Sequence, residues 1–296
     1  MKDKTASVFV AIIGRPNVGK SSLLNRLVGE KTAIVTHKPQ TTRTRITGIL
    51  TKEPIQYVFI DTPGIHVPRT KLGKHMSKVA EDSVGEGDVT LMLFEPEDAL
   101  RPVELEMAKA LAGKGGAIAA INKADTVQLG EVLMKKAAEL ESLKIFSEVR
   151  VISAASGEGC EELLESLAKH AVAGPHFFAD DAFTDQPERQ LVAEIIREKL
   201  LLHLQEEIPH GTAVEVESFS EREDGKLIDI NATIYCEKKS HKGMVIGKGG
   251  QMLKQVASEA RRDTQEMLGV QVNLQCWVKI RERWRDNENL LEKMGF

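Results

Sequence analysis

Short apolar runs alternate with polar, glycine-containing turns through the first half of the chain. Such runs are typical of strands buried on both faces, whereas apolar residues spaced three and four apart predict helices. The pattern predicts strands over residues 8–13, 57–60, 89–94, 117–121 and 149–152, and helices after the first strand and over residues 104–111 and 160–170. Alternating strands and helices indicate an α/β domain with a mostly parallel sheet and helices on both faces.

The second half of the chain has a different pattern. It predicts a helix over 188–205, alternating strands over 212–219 and 227–236 around a hairpin turn at Asp224-Gly225, a helix over 253–268 and a strand over 270–280. The segment 242–250 lies between the second strand and the helix over 253–268, and the order α-β-β-α-α-β predicts a smaller α+β domain. We therefore expect a first domain over 1–174, a proline-bracketed linker over 175–187, a second domain over 188–283 and a tail over 284–296.

Composition narrows the class of protein. The 296 residues are 42% hydrophobic and 28% charged, which predicts a soluble chain of about two domains. The three cysteines lie far apart and form no CxxC pair, so we expect a reduced, cytoplasmic setting without a disulfide framework or zinc site. The net charge is −4, yet residues 238–262 hold seven basic residues and one acidic residue. This uneven distribution marks one basic surface in the second domain.

The first predicted turn has the composition of a phosphate-binding P-loop. It reads Gly14-Arg15-Pro16-Asn17-Val18-Gly19-Lys20-Ser21, followed by Ser22. Backbone N–H groups and a helix N-terminus would surround the phosphates, Lys20 would neutralise them, and the Ser21 hydroxyl would ligate Mg²⁺. A Cβ at Gly14 or Gly19 would obstruct the tight loop. The segment predicts a nucleotide site.

Two later segments complete the predicted phosphate side. We assign Thr42 to the magnesium ion, with Thr41 as the fallback, because both lie in an exposed loop after the P-loop. The strand at 57–60 ends in Asp61-Thr62-Pro63-Gly64. Ligands of open α/β sheets bind at the carboxyl ends of strands, where Asp61 can hold Mg²⁺ through water and the Gly64 N–H can reach the γ-phosphate.

The base side of the nucleotide is predicted from two further strand ends. One strand ends in Asn122-Lys123-Ala124-Asp125, where the Asp125 carboxylate can accept hydrogen bonds from guanine N1–H and the 2-amino group. Lys123 can lie along the base, and Asn122 can tie this loop to the P-loop. Another strand ends in Ser153-Ala154-Ala155, whose backbone N–H groups are expected to read the guanine carbonyl. The predicted nucleotides are therefore GTP and GDP.

The second domain carries a candidate RNA-binding loop, Gly247-Lys248-Gly249-Gly250. Small residues let a sugar-phosphate backbone approach closely, and a GxxG loop of a KH domain holds about four unpaired nucleotides. The element order resembles the type II form of the KH domain. We expect Lys242, Lys248, Lys254 and Arg261 to contact RNA together with the three glycines.

These motifs, in this order, resemble the translation-factor-related GTPases. Asn17 and the stretch Pro39-Gln40-Thr41-Thr42-Arg43 narrow the resemblance to the Era branch, in which a GTPase domain precedes a type II KH domain. The resemblance implies an assembly factor of the 30S ribosomal subunit that hydrolyses GTP and binds the 3′ end of 16S ribosomal RNA. It also implies peripheral association with the inner membrane. A monomer is the default expectation.

The source of hydrolysis is left open by the motifs. Ile65 stands where Ras-like proteins have a glutamine that orients water, and an isoleucine cannot do so. The resemblance implies that Asn17 helps to bind K⁺, which would join Lys20, Thr42 and Gly64 in catalysis. Arg43 and Arg45 are competing sources of positive charge, although a solvated loop is the expected position of both.

Three mechanisms of action remain open. In the first, GTP and Mg²⁺ order residues 30–46 and 63–72, which bias the KH domain until hydrolysis releases them. In the second, the chain is an RNA-binding module and GTP is a slow structural cofactor. In the third, a membrane-linked signalling GTPase uses its basic segment on anionic lipid.

Overall fold

The computed structural model describes residues 5–38, 41–64, 70–83, 87–96, 99–113, 116–205, 208–223 and 225–293. Four residues named above lie outside these ranges: Pro39, Gln40, Ile65 and Asp224. Backbone contacts divide the chain into two compact units. The first comprises Met1–Ala33, Thr42–Val67 and Met76–Asp185, and the second comprises Ile34–Thr41, Pro68–His75 and Gln186–Phe296.

A mostly parallel sheet forms the centre of the first unit. Its described strands are β1 (Ala6–Gly14), β2 (Ile46–Lys52), β3 (Ile55–Asp61), β4 (Val89–Phe94), β5 (Gly116–Ile121), β6 (Glu148–Val151) and β7 (Val172–Ala173). The spatial order is β2-β3-β1-β4-β5-β6, and β7 pairs with β1. Only β2 against β3 and β7 against β1 are antiparallel among these described pairs. The carboxyl ends of β1, β3, β4 and β5 therefore share one edge of the sheet.

Helices cover both faces of this sheet, as predicted. They are α1 (Lys20–Val28), α3 (Pro102–Leu111), α4 (Gly130–Ser142) and α5 (Cys160–Ala168). The helix α2 (Lys71–Ser83) is divided between the two units, with residues up to His75 in the second and residues from Met76 in the first. Alternate residues of β4 show the two layers, because Leu91 packs with the α1 and α5 side chains whereas Met92 packs with those of α3 and α4. Burial on both faces explains why these strands appear in the sequence as continuous apolar runs.

The elements β2, α2 and α4 lie where no element was predicted. The β2 sequence mixes polar residues with Gly48, and it forms a strand because its backbone pairs with β3 from Ile46 to Lys52. Gly48 lies under α1, where a Cβ would be 2.4 Å from Leu24 Cδ1. A weak local pattern is overridden here by long-range pairing.

Residues in the first part of the predicted linker pack along β2 and β3. The fully buried Gln56 accepts hydrogen bonds from the Phe177 and Phe178 N–H groups at 2.9 and 3.0 Å. The Thr184 hydroxyl donates to the Thr47 carbonyl at 2.7 Å. These contacts place residues 177–184 within the first unit.

The second unit contains a three-stranded sheet covered by helices on one face. Its elements are α6 (Glu188–His203), β8 (Thr212–Glu221), β9 (Leu227–Cys236), α7 (Lys239–Ile246), α8 (Gln251–Leu268), β10 (Gln271–Ile280) and α9 (Glu288–Lys293). The strand order is β10-β9-β8, with β9 and β10 parallel and β8 antiparallel to β9. The predicted order α-β-β-α-α-β is confirmed.

Side chains from α6, α8 and the sheet form one buried cluster in this unit, which includes Ile196, Ile230, Val256 and Val272. Trp284 is also fully buried, and its indole Nε1–H donates to the Gly211 carbonyl at 3.0 Å. Among the described residues, no helix is both long enough and apolar enough to cross a membrane.

Candidate nucleotide-binding and RNA-binding sites

The predicted P-loop connects the end of β1 to the start of α1, at the shared strand edge. The Lys20 ammonium donates to the carbonyls of Gly14 at 3.2 Å and Arg15 at 3.1 Å, so it lies over the loop. Burial lowers the pKa of Lys20, and the nearby Asp61 carboxylate opposes that shift. A phosphate in this loop would meet a cation already held in place by the backbone.

Two glycines let neighbouring segments approach the P-loop closely. Gly19 has φ +101°, and a Cβ there would lie 2.2 Å from Asn122 Nδ2. A Cβ at Gly64 would lie 2.9 Å from the Pro16 nitrogen. The segment Asn122–Asp125, here called the base loop, and the segment Asp61–Gly64, predicted to reach the γ-phosphate, therefore both contact the P-loop, although they follow different strands.

Three oxygen-bearing side chains converge beside the P-loop. The Ser21 hydroxyl donates to Asp61 Oδ2 at 2.7 Å and lies 2.9 Å from Thr42 Oγ1. The Thr42 hydroxyl also donates to Asp61 Oδ2, at 3.3 Å. Burial raises the pKa of Asp61, and Lys20 and the two hydroxyl donors oppose that shift. Hydroxyl and carboxylate oxygens are the hard donors that Mg²⁺ prefers, so this set fits the ion.

The fallback residue Thr41 lies elsewhere. Its hydroxyl donates to the Lys38 carbonyl at 2.7 Å and lies 2.7 Å from Thr36 Oγ1. Its carbonyl accepts a hydrogen bond from Arg197 of α6. The geometry therefore favours Thr42 over Thr41 for the magnesium site.

The predicted base-reading residues lie together at the ends of β5 and β6. Asn122 Nδ2 donates to the Val18 carbonyl at 2.8 Å, which is the expected tie between this loop and the P-loop. The Ser153 hydroxyl donates to Asp125 Oδ1 at 2.5 Å and orients that exposed carboxylate. Ala154 differs from the expectation. Its N–H already donates to Asn122 Oδ1 at 3.0 Å, so it would have to exchange this partner to read a guanine carbonyl.

The Arg15 side chain also differs from its predicted role in nucleotide binding. It is buried and donates to Glu104 Oε1 and Glu95 Oε2, both at 2.8 Å. Glu95 also pairs with Lys123 of the base loop. These ion pairs join the P-loop to the base loop, so the Arg15 side chain has a structural position, while its carbonyl accepts a hydrogen bond from Lys20. Glu95 and Glu104 lie in other segments, where no local motif marks them.

Two residues of α1 that sequence reasoning missed fix the surrounding loops. Asn25 Oδ1 accepts from the N–H groups of Thr32 and Ala33 at 3.1 and 2.9 Å, and Asn25 Nδ2 donates to the Ala33 carbonyl at 2.7 Å. Arg26 donates through Nε to the Ala154 carbonyl at 3.0 Å. Asn25 follows Ser21 by four residues, a spacing that places both side chains on one face of α1, whereas Arg26 lies one position further round the helix.

The residues proposed for hydrolysis occupy varied positions. Asn17 has a left-handed backbone with φ +64°, within the P-loop. Arg43 was expected in a solvated loop, and this expectation was wrong, because the side chain is buried and only 1% exposed. Arg45 is exposed, as expected. Ile65 lies outside the described residues, and the roles of Asn17, Lys20, Thr42 and Gly64 stay predictions.

The GxxG segment lies between α7 and α8 in the second unit. Gly247 has φ +72°, and a Cβ there would lie 2.7 Å from Met252 Cβ, so the loop needs glycine at this point.

The other predicted RNA-binding residues differ in exposure. Lys248 and Gly249 are exposed, whereas Gly250 and Lys242 are half-buried. Gly250 directly precedes the 18-residue helix α8. Lys254 and Arg261 are exposed two turns apart on α8, and therefore share one face.

A P-loop, a magnesium-type oxygen set and an Asn-Lys-x-Asp loop on a parallel sheet define a guanine-nucleotide-binding protein, here joined to a KH domain. A family described as 50S ribosome-binding GTPase matches residues 9–123, and the KH domain family matches residues 207–285. GTPase Era of Caldanaerobacter subterraneus is 49% identical over 97% of each chain, and that of Alkaliphilus metalliredigens is 46% identical over 98% of each.

Solved structures agree with these relatives. The crystal structures of a variant of Aquifex aeolicus Era bound to GDP·AlF4⁻ and of Era with MgGDPNP and nucleotides 1506–1542 of 16S ribosomal RNA are each 33% identical to this chain. Each aligns with a TM-score of 0.93 over 98% of this chain and 99% of the other. The chain belongs to the Era family of GTPases, and its reaction is the hydrolysis of GTP to GDP and phosphate.

Proposed function

We propose that the chain binds the 3′ end of 16S ribosomal RNA through its KH domain and acts as a GTP-timed switch in 30S subunit assembly. The relative whose structure holds MgGDPNP and nucleotides 1506–1542 of that RNA aligns over 98% of this chain. The exposed lysine of the GxxG loop and the basic face of α8 supply the phosphate-binding chemistry that such an RNA needs.

The observation that supports the switch is that two adjacent threonines, Thr41 and Thr42, form their contacts in different units. Thr42 places its hydroxyl beside Ser21 and Asp61 in the nucleotide unit. The preceding residue, Thr41, presents its carbonyl to Arg197 of α6 in the KH unit. Because one peptide bond joins them, a movement of Thr42 on nucleotide exchange is transmitted to Thr41.

The rest of the segment 34–41 has further contacts with α6 and its end. The Val35 N–H donates to Glu198 Oε1 at 3.1 Å, and the Lys38 ammonium donates to the Leu204 carbonyl. Arg197 and Glu198 are 1% and 4% exposed and also pair with Glu194 and Lys199, so displacement of the segment would remove one hydrogen-bond partner from each of two buried charged groups. That cost is the means by which nucleotide state would bias the KH unit.

Mg²⁺ with GTP is part of this proposal. Ser21, Thr42 and, through water, Asp61 would hold the ion, which when bound supplies positive charge to the phosphates. Lys20 adds a second positive charge over the loop. Potassium is a further element of the proposal, with Asn17 as the residue that helps to bind it. Equal hydrolysis rates in sodium and potassium buffers would contradict the potassium assignment.

The test is to measure affinity for the 1506–1542 RNA fragment with GDP and with GDPNP. We expect tighter binding with GDPNP by about 5- to 150-fold, the range of ordinary allosteric coupling, and an equal effect of RNA on GDPNP affinity. Arg197→Met should reduce that ratio towards one. Arg189→Met is the matched control, because Arg189 lies on the same helix and bonds to the Val216 carbonyl within the KH unit.

RNA affinity that does not depend on the nucleotide would contradict the switch and favour an RNA-binding module with GTP as a structural cofactor. Peripheral association with the inner membrane and a monomeric state stay predictions. Co-sedimentation with anionic vesicles tests the first, and light scattering tests the second.

A further inference from the structure

Strand β10 presents different side chains to its two faces. Val272 and Val278 are 4% and 8% exposed and belong to the cluster that the helices cover. Trp277 precedes Val278, so its side chain points to the opposite face of the sheet. Its exposed fraction there is 57%. A large indole is therefore held in solvent by a regular ten-residue strand.

The surroundings of this indole are polar. Trp277 lies opposite Thr233 of β9, and the flanking positions on the same face pair Gln275 with Asn231 and Lys279 with Tyr235. Both Thr233 Oγ1 and Lys279 Nζ donate to Glu217 Oε1 at 2.8 Å. Glu217 is thus already paired, and two amides and a lysine occupy the neighbouring positions of the same face.

These surroundings favour a nucleobase over a protein as the group that covers Trp277. A tryptophan at the centre of a protein interface is enclosed by well-packed, desolvated neighbours. A base instead needs one aromatic face for stacking, with amides for its edge and a cation for its phosphate. Gln275 and Lys279, two residues away on each side along β10 and both exposed, supply those groups, and Lys279 would exchange Glu217 for the phosphate.

The position of β10 makes this face reachable for an RNA bound at the GxxG loop. α7 and α8, which flank that loop, both pack on β10. β10 is also the outer strand in the order β10-β9-β8. A single strand of RNA that leaves the helix-covered face can therefore pass around the outer edge of β10 to reach Trp277.

We propose that Trp277 stacks on an unpaired base of the same RNA, at a second contact on the open face of the KH sheet, outside the GxxG groove. The inference rests on the proposed function, because it requires the chain to bind RNA. It adds a residue that neither the GxxG loop nor the basic face of α8 includes.

The test uses the intrinsic fluorescence of the two tryptophans. Trp284 is fully buried and Trp277 is exposed, so quenching by RNA reports on Trp277. RNAs of increasing length, from about four nucleotides, the length that a KH groove holds, up to the 1506–1542 fragment, are titrated onto the full chain. We expect quenching only above a threshold length. Trp277→Ala should weaken binding of RNAs above that length by about 5- to 150-fold, as loss of one stacked base does.

Three variants complete the design. Trp277→Phe keeps a smaller ring and should lie between wild type and Trp277→Ala in affinity. Leu202→Ala removes another exposed apolar side chain, which lies on α6, and should leave RNA affinity unchanged. Lys248→Glu should weaken RNA of every length, because it acts at the GxxG loop. Thermal unfolding of each variant shows whether the fold is kept.

Several outcomes would overturn the inference. Unchanged affinity of Trp277→Ala for the longest RNA would do so, and would leave the indole to a protein partner. Equal weakening at every length would also do so, because it indicates damage to the groove. If wild-type protein binds none of these RNAs with GDP or GDPNP, the proposed function fails as well. Loss with Lys248→Glu but not with Trp277→Ala keeps the proposed function and rejects the second contact.

Discussion

The Ser21 hydroxyl lies 2.9 Å from the Thr42 hydroxyl, although 21 positions separate the two residues in the chain. Both hydroxyls donate to the same carboxylate oxygen of Asp61, which is fully buried. A buried carboxylate with two hydroxyl neighbours is costly to desolvate, and a bound cation would offset that cost. The hydrogen bonds among Ser21, Thr42 and Asp61 therefore hold three segments that are far apart in sequence next to the P-loop.

We expect Asp61→Asn to weaken Mg²⁺ binding in the nucleotide complex by about 10- to 100-fold, the usual effect of losing a partner that acts on the metal through another ligand. The measurement is a titration of the GDPNP complex with MgCl2, and nucleotide affinity in EDTA is the reference. Thr41→Ala is the control and should leave Mg²⁺ affinity unchanged. An equal loss with and without Mg²⁺ would show that Asp61 acts on the fold instead.

We expect Asp125→Asn to weaken GDP binding by about 10- to 100-fold, because one of two charge-assisted hydrogen bonds to guanine is replaced by an amide N–H that faces a donor. Xanthine has a carbonyl at C2, where guanine has its amino group, and this carbonyl can accept from the new amide N–H. The variant should therefore bind xanthosine diphosphate more tightly than wild type does. Competition between the two nucleotides gives both numbers. Ser153→Ala leaves the carboxylate and removes its 2.5 Å hydroxyl donor, so it should weaken GDP binding without changing base preference.

The Arg15–Glu104 pair predicts a large effect on stability. Its side chains are 10% and 3% exposed, so Arg15→Met would leave a buried carboxylate without its cation. We expect a loss of about 3–5 kcal/mol in the free energy of unfolding of the first unit, measured in urea. Lys52→Met breaks the exposed pair with Glu161 and should cost no more than about 1 kcal/mol. Similar losses in the two variants would contradict the structural role of Arg15.

Glu148 predicts an acid-dependent loss of stability. Its carboxylate accepts from Lys169, Ser166 and Arg150, and the Lys169 hydrogen bond is the largest cause of a pKa lowered from 4.5 to about 2. A lowered folded-state pKa stabilises the protein above the unfolded value. The contribution is therefore present above pH 4.5 and is lost as pH falls from 4.5 to about 2.

The measurement is the difference in unfolding free energy between wild type and Glu148→Gln at several pH values. That difference should decrease on acidification with a slope of up to about 1.4 kcal/mol per pH unit, the value for one proton. Glu141→Gln changes an exposed carboxylate on α4 and serves as the control. A constant difference over this range would show that Glu148 does not bind its proton more weakly in the folded state.

The sequence alone determined the class of the protein and much of its fold. The P-loop, the Asp-Thr-Pro-Gly and Asn-Lys-x-Asp segments and the GxxG loop are each a few consecutive residues. Their chemistry is local, and the buried parallel strands before the nucleotide motifs are marked by apolar runs. The order of elements in the KH unit was predicted for the same reason, because alternating strands and amphipathic helices have distinct periods.

Only the tertiary structure decided which side chains meet. β2 is a strand because it pairs with β3, and its own sequence has a weak pattern. Arg15 lies in a nucleotide motif, yet its side chain pairs with Glu104, 89 positions away. Thr42 and Thr41 are alike in sequence and differ in which unit holds them. Trp277 follows the same alternation as its neighbours, and only the placement of helices on one face leaves it exposed. Such pairings depend on burial and on contacts between distant segments, which local periodicity does not encode.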